Sequence, residues 1–134
     1  MLTITKQSDY GIILLSYIYK KNNQTSLSDL INETKLPQRF LARIAATLVK
    51  KGLLKSREGK NGGYQTTDKL KVFSLYNYLK IFEENMFICS CGDEDYQCKY
   101  DGVCGHKSVL KDKVNRIIVN QLKKIKLQQL IKWF

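Results

Sequence analysis

All four cysteines and the single histidine of the 134-residue chain fall in one stretch, Cys89 to His106, reading CSCGDEDYQCKYDGVCGH. Thiolates are soft ligands and nucleophiles, so a run of them is either a metal site or a redox site. The order Cys89, Cys91, Cys98, Cys104 contains no Cys-x2-Cys pair of the kind that chelates a tetrahedral zinc ion from one tight turn. Longer gaps suit a loop wrapped around something larger than one ion, and soft ligands so spaced point to an iron-sulfur cluster, with zinc still possible. Gly92, Gly102 and Gly105 stand beside cysteines, where a chain must bend sharply. Asp93, Glu94, Asp95 and Asp101 stand against a single Lys99 in the middle of the stretch, a composition that predicts a solvated loop. Read without a metal, it is a surface loop of reduced thiols, or one with a redox pair such as Cys89 and Cys91. The chain opens MLTITKQSDYG, with no basic segment leading to an apolar one as in a secretory signal, so the expected setting is cytoplasmic with thiols reduced.

The elements that position such a loop have their own charge signature. A net charge of +11 is large for this length and implies a polyanionic partner, nucleic acid before anionic membrane. Residues 34 to 60 carry eight Lys or Arg against one Glu, so that stretch is the electrostatic footprint to explain. No apolar run reaches the length of a transmembrane span, and no membrane partner is expected.

Residues 4 to 20 set Tyr10, Ile13, Leu14, Tyr17 and Ile18 on one helical stripe, ending at Lys20-Lys21-Asn22-Asn23. A second helix begins at Ser26, a capping hydroxyl with Asp29 three residues on, and buries Leu27, Leu30 and Ile31. Pro37 suits the first position of a third helix running through Phe40, Leu41, Ile44 and Leu48 to a stop at Gly52. Two short helices and a tight turn make a helix-turn-helix. Two strand-like pieces, Leu53 to Arg57 and Tyr64 to Thr67, then flank a Gly/Asn-rich turn, which reads as a hairpin wing. A further helix is expected over Val72 to Asn85, with Phe73, Tyr76, Leu79 and Phe82 on its apolar face. From His106 or Lys107 a long helix carries Leu110, Val114, Ile117, Ile118, Leu122 and Ile125 in a stripe that nothing left in the chain covers. Such a helix pairs most simply with its twin in a homodimer; lying on a membrane surface is the rival reading.

These pieces, taken together and in order, resemble the Rrf-two family of winged-helix transcription regulators, the group containing IscR, NsrR and RsrR. The resemblance rests on TKQSDYGIILLSYIY, LPQRFLARIAATLVKKGLL, the GKNGGY wing and three cysteines ending at Cys104 before a long helix, and it covers nearly the whole chain. It is nearest to regulators of iron-sulfur cluster assembly. It implies a mainly α fold with a small β-hairpin wing: a winged helix-turn-helix over residues 1–70, a connecting helix and cysteine loop over 71–105, and a dimerisation helix and tail over 106–134. It further implies a homodimer holding a [2Fe-2S] or [4Fe-4S] cluster through Cys91, Cys98 and Cys104 and reading a palindromic operator in double-stranded DNA. Cys98 and Cys104 keep the family's five-residue gap, while Cys91 and Cys98 have six residues between them, Cys89 is extra, and His106 follows the last cysteine by two. The fourth ligand is open among Asp9 of the partner chain, which stands where some members supply an Asp, His106 and Cys89. As a first-turn residue, Asp9 also simply complements a helix dipole. Ala42 replaces a Glu that some members use in choosing operators, and Glu58 stands where Arg is common.

The resulting expectation is a transcription regulator, a repressor among the options, sensing iron-sulfur status, redox state or nitric oxide. Gln38, Arg39 and Arg43 would enter the major groove, where Arg pairs with guanine and Gln with adenine. Lys50, Lys51, Lys55, Arg57, Lys60 and Asn61 would hold the DNA backbone. The alternatives are a regulator of the same fold with bare thiols or zinc, and an electron-transfer or cluster-carrier protein without specific DNA binding. No general acid/base pair, phosphate loop or Ser-His-Asp order is evident, so no catalysis is expected.

Overall fold

A computed structural model describes residues 2–132, and within it the chain divides into two compact units. The first is continuous from Thr5 to Phe73 and takes in the chain again from Lys126; the second comprises the residues up to Ile4 and Ser74–Ile125.

Helix α1, Lys6–Lys21, starts where the Thr5 hydroxyl accepts from the Ser8 amide, and it ends as Asn22 turns left-handed at φ 53°. Its buried stripe is Leu14, Leu15 and Ile18. Helix α2, Leu27–Thr34, is capped by Ser26, which accepts from the Asp29 amide at 3.1 Å, and it buries Leu30. Helix α3, Gln38–Lys50, buries Leu41, Ile44, Ala45 and Leu48 against α1. Pro37 proves to be the residue before the first turn, with extended ψ of 127°, one position earlier than its fixed φ suggested. Each large aliphatic side chain buried in this core contributes about 1.5–3 kcal/mol of transfer free energy.

Strands β1, Leu54–Arg57, and β2, Gly63–Thr66, pair antiparallel, Leu54 opposite Thr66 and Arg57 opposite Gly63. The hairpin is pinned at its base because Thr25 and Tyr64 exchange main-chain bonds, N–H to O at 2.9 and 2.8 Å. Gly63 permits that approach. It sits at φ 144°, and a Cβ there would lie 2.5 Å from the Thr25 carbonyl oxygen.

The helix expected over Val72 to Asn85 is shorter and preceded by a separate turn. Asp68–Lys71 forms a 3-10 turn, Val72 is exposed, and α4 is Leu75–Phe82. The Ser74 hydroxyl sets this boundary by accepting from the Asn77 amide at 3.1 Å. In the second unit a 3-10 turn at Ser90–Gly92 opens the cysteine loop. The long helix enters as a π-helical stretch, Val109–Val114, and continues as α5, Asn115–Lys124, packed on α4. Lys80 and Lys123 lie 5.5 and 4.9 Å from the Tyr76 ring centre between them. No residue of Val109–Lys124 is buried; of the expected stripe Ile117 is 61% exposed, while Leu110, Val114, Ile118 and Leu122 are half-buried.

Ile125 does not extend that stripe. The chain leaves the helix there at φ −81°, ψ 123°, and a short α6, Leu127–Ile131, joins the first unit. Its Leu127 and Ile131 are buried, it packs on α1 and the 3-10 turn, and the Leu127 amide donates to the Phe73 carbonyl at 2.8 Å. Burial of two aliphatic side chains outweighs one more turn of helix, which sequence periodicity could not register. Met1, Trp133 and Phe134, the ends of the expected terminal segments, lie outside the described residues. Among the described residues no helix is long and apolar enough to cross a membrane. Leu127→Ala is expected to cost about 2–5 kcal/mol, read by urea denaturation, with faster amide exchange in α1 as the local signature.

Candidate nucleic-acid interface and cysteine pocket

One face of α3 is committed to the core, and the opposite face carries the charge. Gln38, Arg39, Ala42 and Arg43 are all exposed on it, and Lys50 and Lys51 are exposed at its end. Lys55, Arg57, Lys60 and Asn61 are exposed on the hairpin and its turn. None of these Lys or Arg side chains is in an ion pair among the described residues, which leaves them available to phosphate. The turn closes through the Gly62 amide, which donates to the Gly59 carbonyl at 3.0 Å, and a Cβ on Gly62 would meet the Arg57 carbonyl oxygen at 2.1 Å.

Two supports escaped the sequence reading. Lys69 Nζ donates to the Lys51 carbonyl at 2.7 Å and lies 5.4 Å from the Phe73 ring centre, so a cation caps the carbonyl end of α3. Lys21 pairs with Glu33 at 2.9 Å, tying α1 to α2; the hydrogen bond and the carboxylate charge raise the lysine's pKa. A Lys two residues beyond Thr67 carries no sequence signature of such a cap.

The cysteine loop separates its thiols. Cys91, Cys98, Cys104 and His106 line one cavity of about 370 Å³, its wall completed by Tyr100 and Val103. His106 Nδ1 and Nε2 lie 3.6 and 3.8 Å from Cys104 Sγ. Cys89 lines a smaller neighbouring hollow with Phe87, Ser90 and Tyr96, yet its sulfur is 3.1 Å from that of Cys91. Among the described residues no three Cys, His, Asp or Glu side chains converge tightly enough to grip a single ion. The cavity draws its walls only from residues 91 to 107 of this chain. Asp9 is exposed in the first turn of α1, in the other unit.

Three contacts build this loop. The Asn115 side chain on α5 accepts the Ile88 amide at 3.1 Å, fixing where the loop begins. Gly92 lies flat on Phe87, for a Cβ there would be 2.7 Å from the ring. Lys107 closes the far end on Asp101 at 2.6 Å. That bond and the Asp101 charge raise the lysine's pKa, with smaller help from the nearby Cys91 and Cys98. Cys91 is itself raised, first by its hydrogen bond to Cys89, then by burial and by the charge of the other thiolates. Asp101 was readable only as a loop charge and Lys107 only as a helix start, because five residues of irregular chain lie between them.

A helix-turn-helix followed by a pinned hairpin and a row of unpaired cations defines a winged-helix DNA-binding protein. The whole chain agrees with that class: it matches the Rrf2 family, described as iron-dependent transcriptional regulators, over residues 4–133, and it belongs to that family. It is 28% identical over 132 residues to the HTH-type transcriptional regulator YffB of Lactococcus lactis, covering 92% of this chain and 81% of that one. It is 24% identical over 114 residues to the HTH-type transcriptional regulator NsrR of Shouchella clausii, covering 83% of this chain and 76% of that one. Among solved structures, CymR, the global cysteine regulator of B. subtilis, has a TM-score of 0.76 at 21% identity, covering 100% and 99% of the two chains. The family's members are transcription regulators, not enzymes.

Gly92→Ala is expected to push the Ser90–Gly92 turn off Phe87 and raise the alkylation rate of Cys91 by iodoacetamide. Cys89→Ala removes the hydrogen bond that raises the Cys91 pKa, so the pH midpoint of Cys91 alkylation should move down; a midpoint that stays in place would disprove the coupling.

Proposed function

We propose that the chain is a homodimeric, DNA-binding transcription regulator whose operator affinity responds to an iron-sulfur cluster held by Cys91, Cys98 and Cys104. The observation that carries this reading is that these three sulfurs and the His106 ring share the wall of one cavity, too widely spread for a single ion. The family's description as iron-dependent agrees with it. A cluster bound there would supply thiolate-ligated iron that reacts with oxidants and nitric oxide. The residues fit such a group: the sulfurs are soft donors, the glycines leave open space around Gly102 and Gly105, and Lys107 brings positive charge beside the thiolates. His106 is the fourth ligand in this reading because it lines the same cavity, whereas Cys89 faces the neighbouring hollow. Asp9 of a second copy is the competing fourth ligand.

The protein's own residues would do the rest. His106 leads within three residues into the π-helical stretch and so into α5, whose partly exposed apolar stripe would be the seam between two copies. The order of the loop would bias the seam and with it the spacing of two α3 helices on a palindromic site. Gln38, Arg39 and Arg43 would read bases, while Lys50, Lys51, Lys55, Arg57, Lys60 and Asn61 hold phosphates.

A second reading, a cluster-free thiol regulator of the same fold, is favoured by the 3.1 Å contact of Cys89 with Cys91. Anaerobic purification with iron and sulfide assays separates the two. Bound iron that Cys98→Ser abolishes is expected; colourless, iron-free protein would refute the cluster. His106→Ala should shift the visible spectrum and Asp9→Ala should leave it unchanged. In operator titrations, Arg43→Ala is expected to cost about 1–3 kcal/mol, and Lys55→Ala to reduce the slope of log affinity against log salt by about 1.

A further inference from the structure

We propose that Cys89 and Cys91 are a redox modification site, closing to a reversible disulfide under peroxide and thereby withdrawing Cys91 from the cavity it shares with Cys98 and Cys104; the consequence for the cavity rests on the cluster reading above.

The two sulfurs are 3.1 Å apart, in non-bonded contact, and a disulfide of about 2.05 Å needs only about 1 Å of further approach. The backbone already favours that approach. Cys89 is extended, at φ −145° and ψ 155°, and Ser90–Gly92 folds back as a 3-10 turn closed by the Gly92 amide on the Cys89 carbonyl at 3.1 Å. The other thiols are placed differently. Cys104 has the His106 ring, not a sulfur, as its neighbour, and Cys98 makes no sulfur-sulfur contact among the described residues. Both members of the pair are partly exposed, so a small oxidant can reach them.

The chemistry balances with hydrogen peroxide as oxidant. One thiolate attacks a peroxide oxygen, the O–O bond breaks, and a sulfenic acid forms as water leaves. The second sulfur then attacks the first, the S–O bond breaks and another water departs. Two thiols and one peroxide thus give one disulfide and two waters, with two electrons passing from sulfur to oxygen. A bridge spanning a single intervening residue closes so small a ring that it adds little by loop closure and carries strain, which makes it easily reduced. Such a bond suits a switch and not a staple. Cys91 alone belongs to both groupings, since it touches Cys89 and lines the larger cavity. An oxidised pair therefore leaves only Cys98, Cys104 and His106 on that wall.

The test uses the full-length metal-free protein, prepared anaerobically and treated with one equivalent of hydrogen peroxide. After blocking with iodoacetamide, chymotryptic cleavage at Phe87 and Tyr96 isolates Cys89 and Cys91 from the other thiols. The expected product is that peptide lighter by two hydrogens and unalkylated, reverting with dithiothreitol, while Cys98 and Cys104 are alkylated. A Cys98–Cys104 bridge, or sulfinic acid on Cys89 or Cys91 in its place, would overturn the proposal. Oxidised and reduced protein are then offered ferrous iron and sulfide. Oxidised wild type should lose iron uptake that the reduced form shows, and Cys89→Ala should take up iron after either treatment; uptake by the bridged wild type would refute the withdrawal of Cys91. Absence of iron uptake by reduced wild type would sink the cluster reading, and the mass signature would still establish the thiol pair on its own.

Discussion

The burial of one stripe of α3 governs everything the DNA-facing unit presents. Leu41, Ile44, Ala45 and Leu48 recur at helical spacing and are fully buried or nearly so against Leu14, Leu15 and Ile18 of α1. With that face committed, Gln38, Arg39 and Arg43 have only solvent to point toward. Rotating α3 to hide an arginine would expose several aliphatic side chains at about 1.5–3 kcal/mol each. The orientation of these three side chains is thus a by-product of the core, and no polar contact need hold them. The hairpin is fixed by a different means, the main-chain exchange between Thr25 and Tyr64, which only glycine at position 63 allows.

In the second unit the constraint is turn geometry. The loop is held at both ends by polar bonds, Ile88 to Asn115 and Asp101 to Lys107, with Phe87 under Gly92 as an apolar footing. Such a segment is free to alter its packing at small cost compared with a buried helix. It leads into the π-helical residues 109–114, a rare form of helix that recurs at functional sites.

How much of this was legible in the sequence depended on whether local signals or distant packing made the decision. The helices α1, α2 and α3 and the hairpin were legible because caps, periodicity and glycines agree within a few residues. The family resemblance drawn from those same residues stands. Sequence placed Cys91, Cys98, Cys104 and His106 near one another, but it could not show that Cys89 turns toward a separate hollow while its sulfur stays beside Cys91. The break at Ile125 and the return of α6 were illegible for a plainer reason. Leu122, Ile125, Leu127 and Ile131 all fit some helical stripe, and only the shape of a distant pocket decides which of them leave the helix.

That return makes the order of synthesis matter. Leu127 and Ile131 complete a core whose other described members, from Leu14 to Leu70, are translated before the cysteine loop and α5. The helix-turn-helix unit cannot close that core until α6 has been made, by which time the cysteine loop and α5 have already left the ribosome. A nascent chain therefore makes its cysteine-bearing unit before its helix-turn-helix unit has a finished interior, the reverse of the usual order in which an amino-terminal domain folds first.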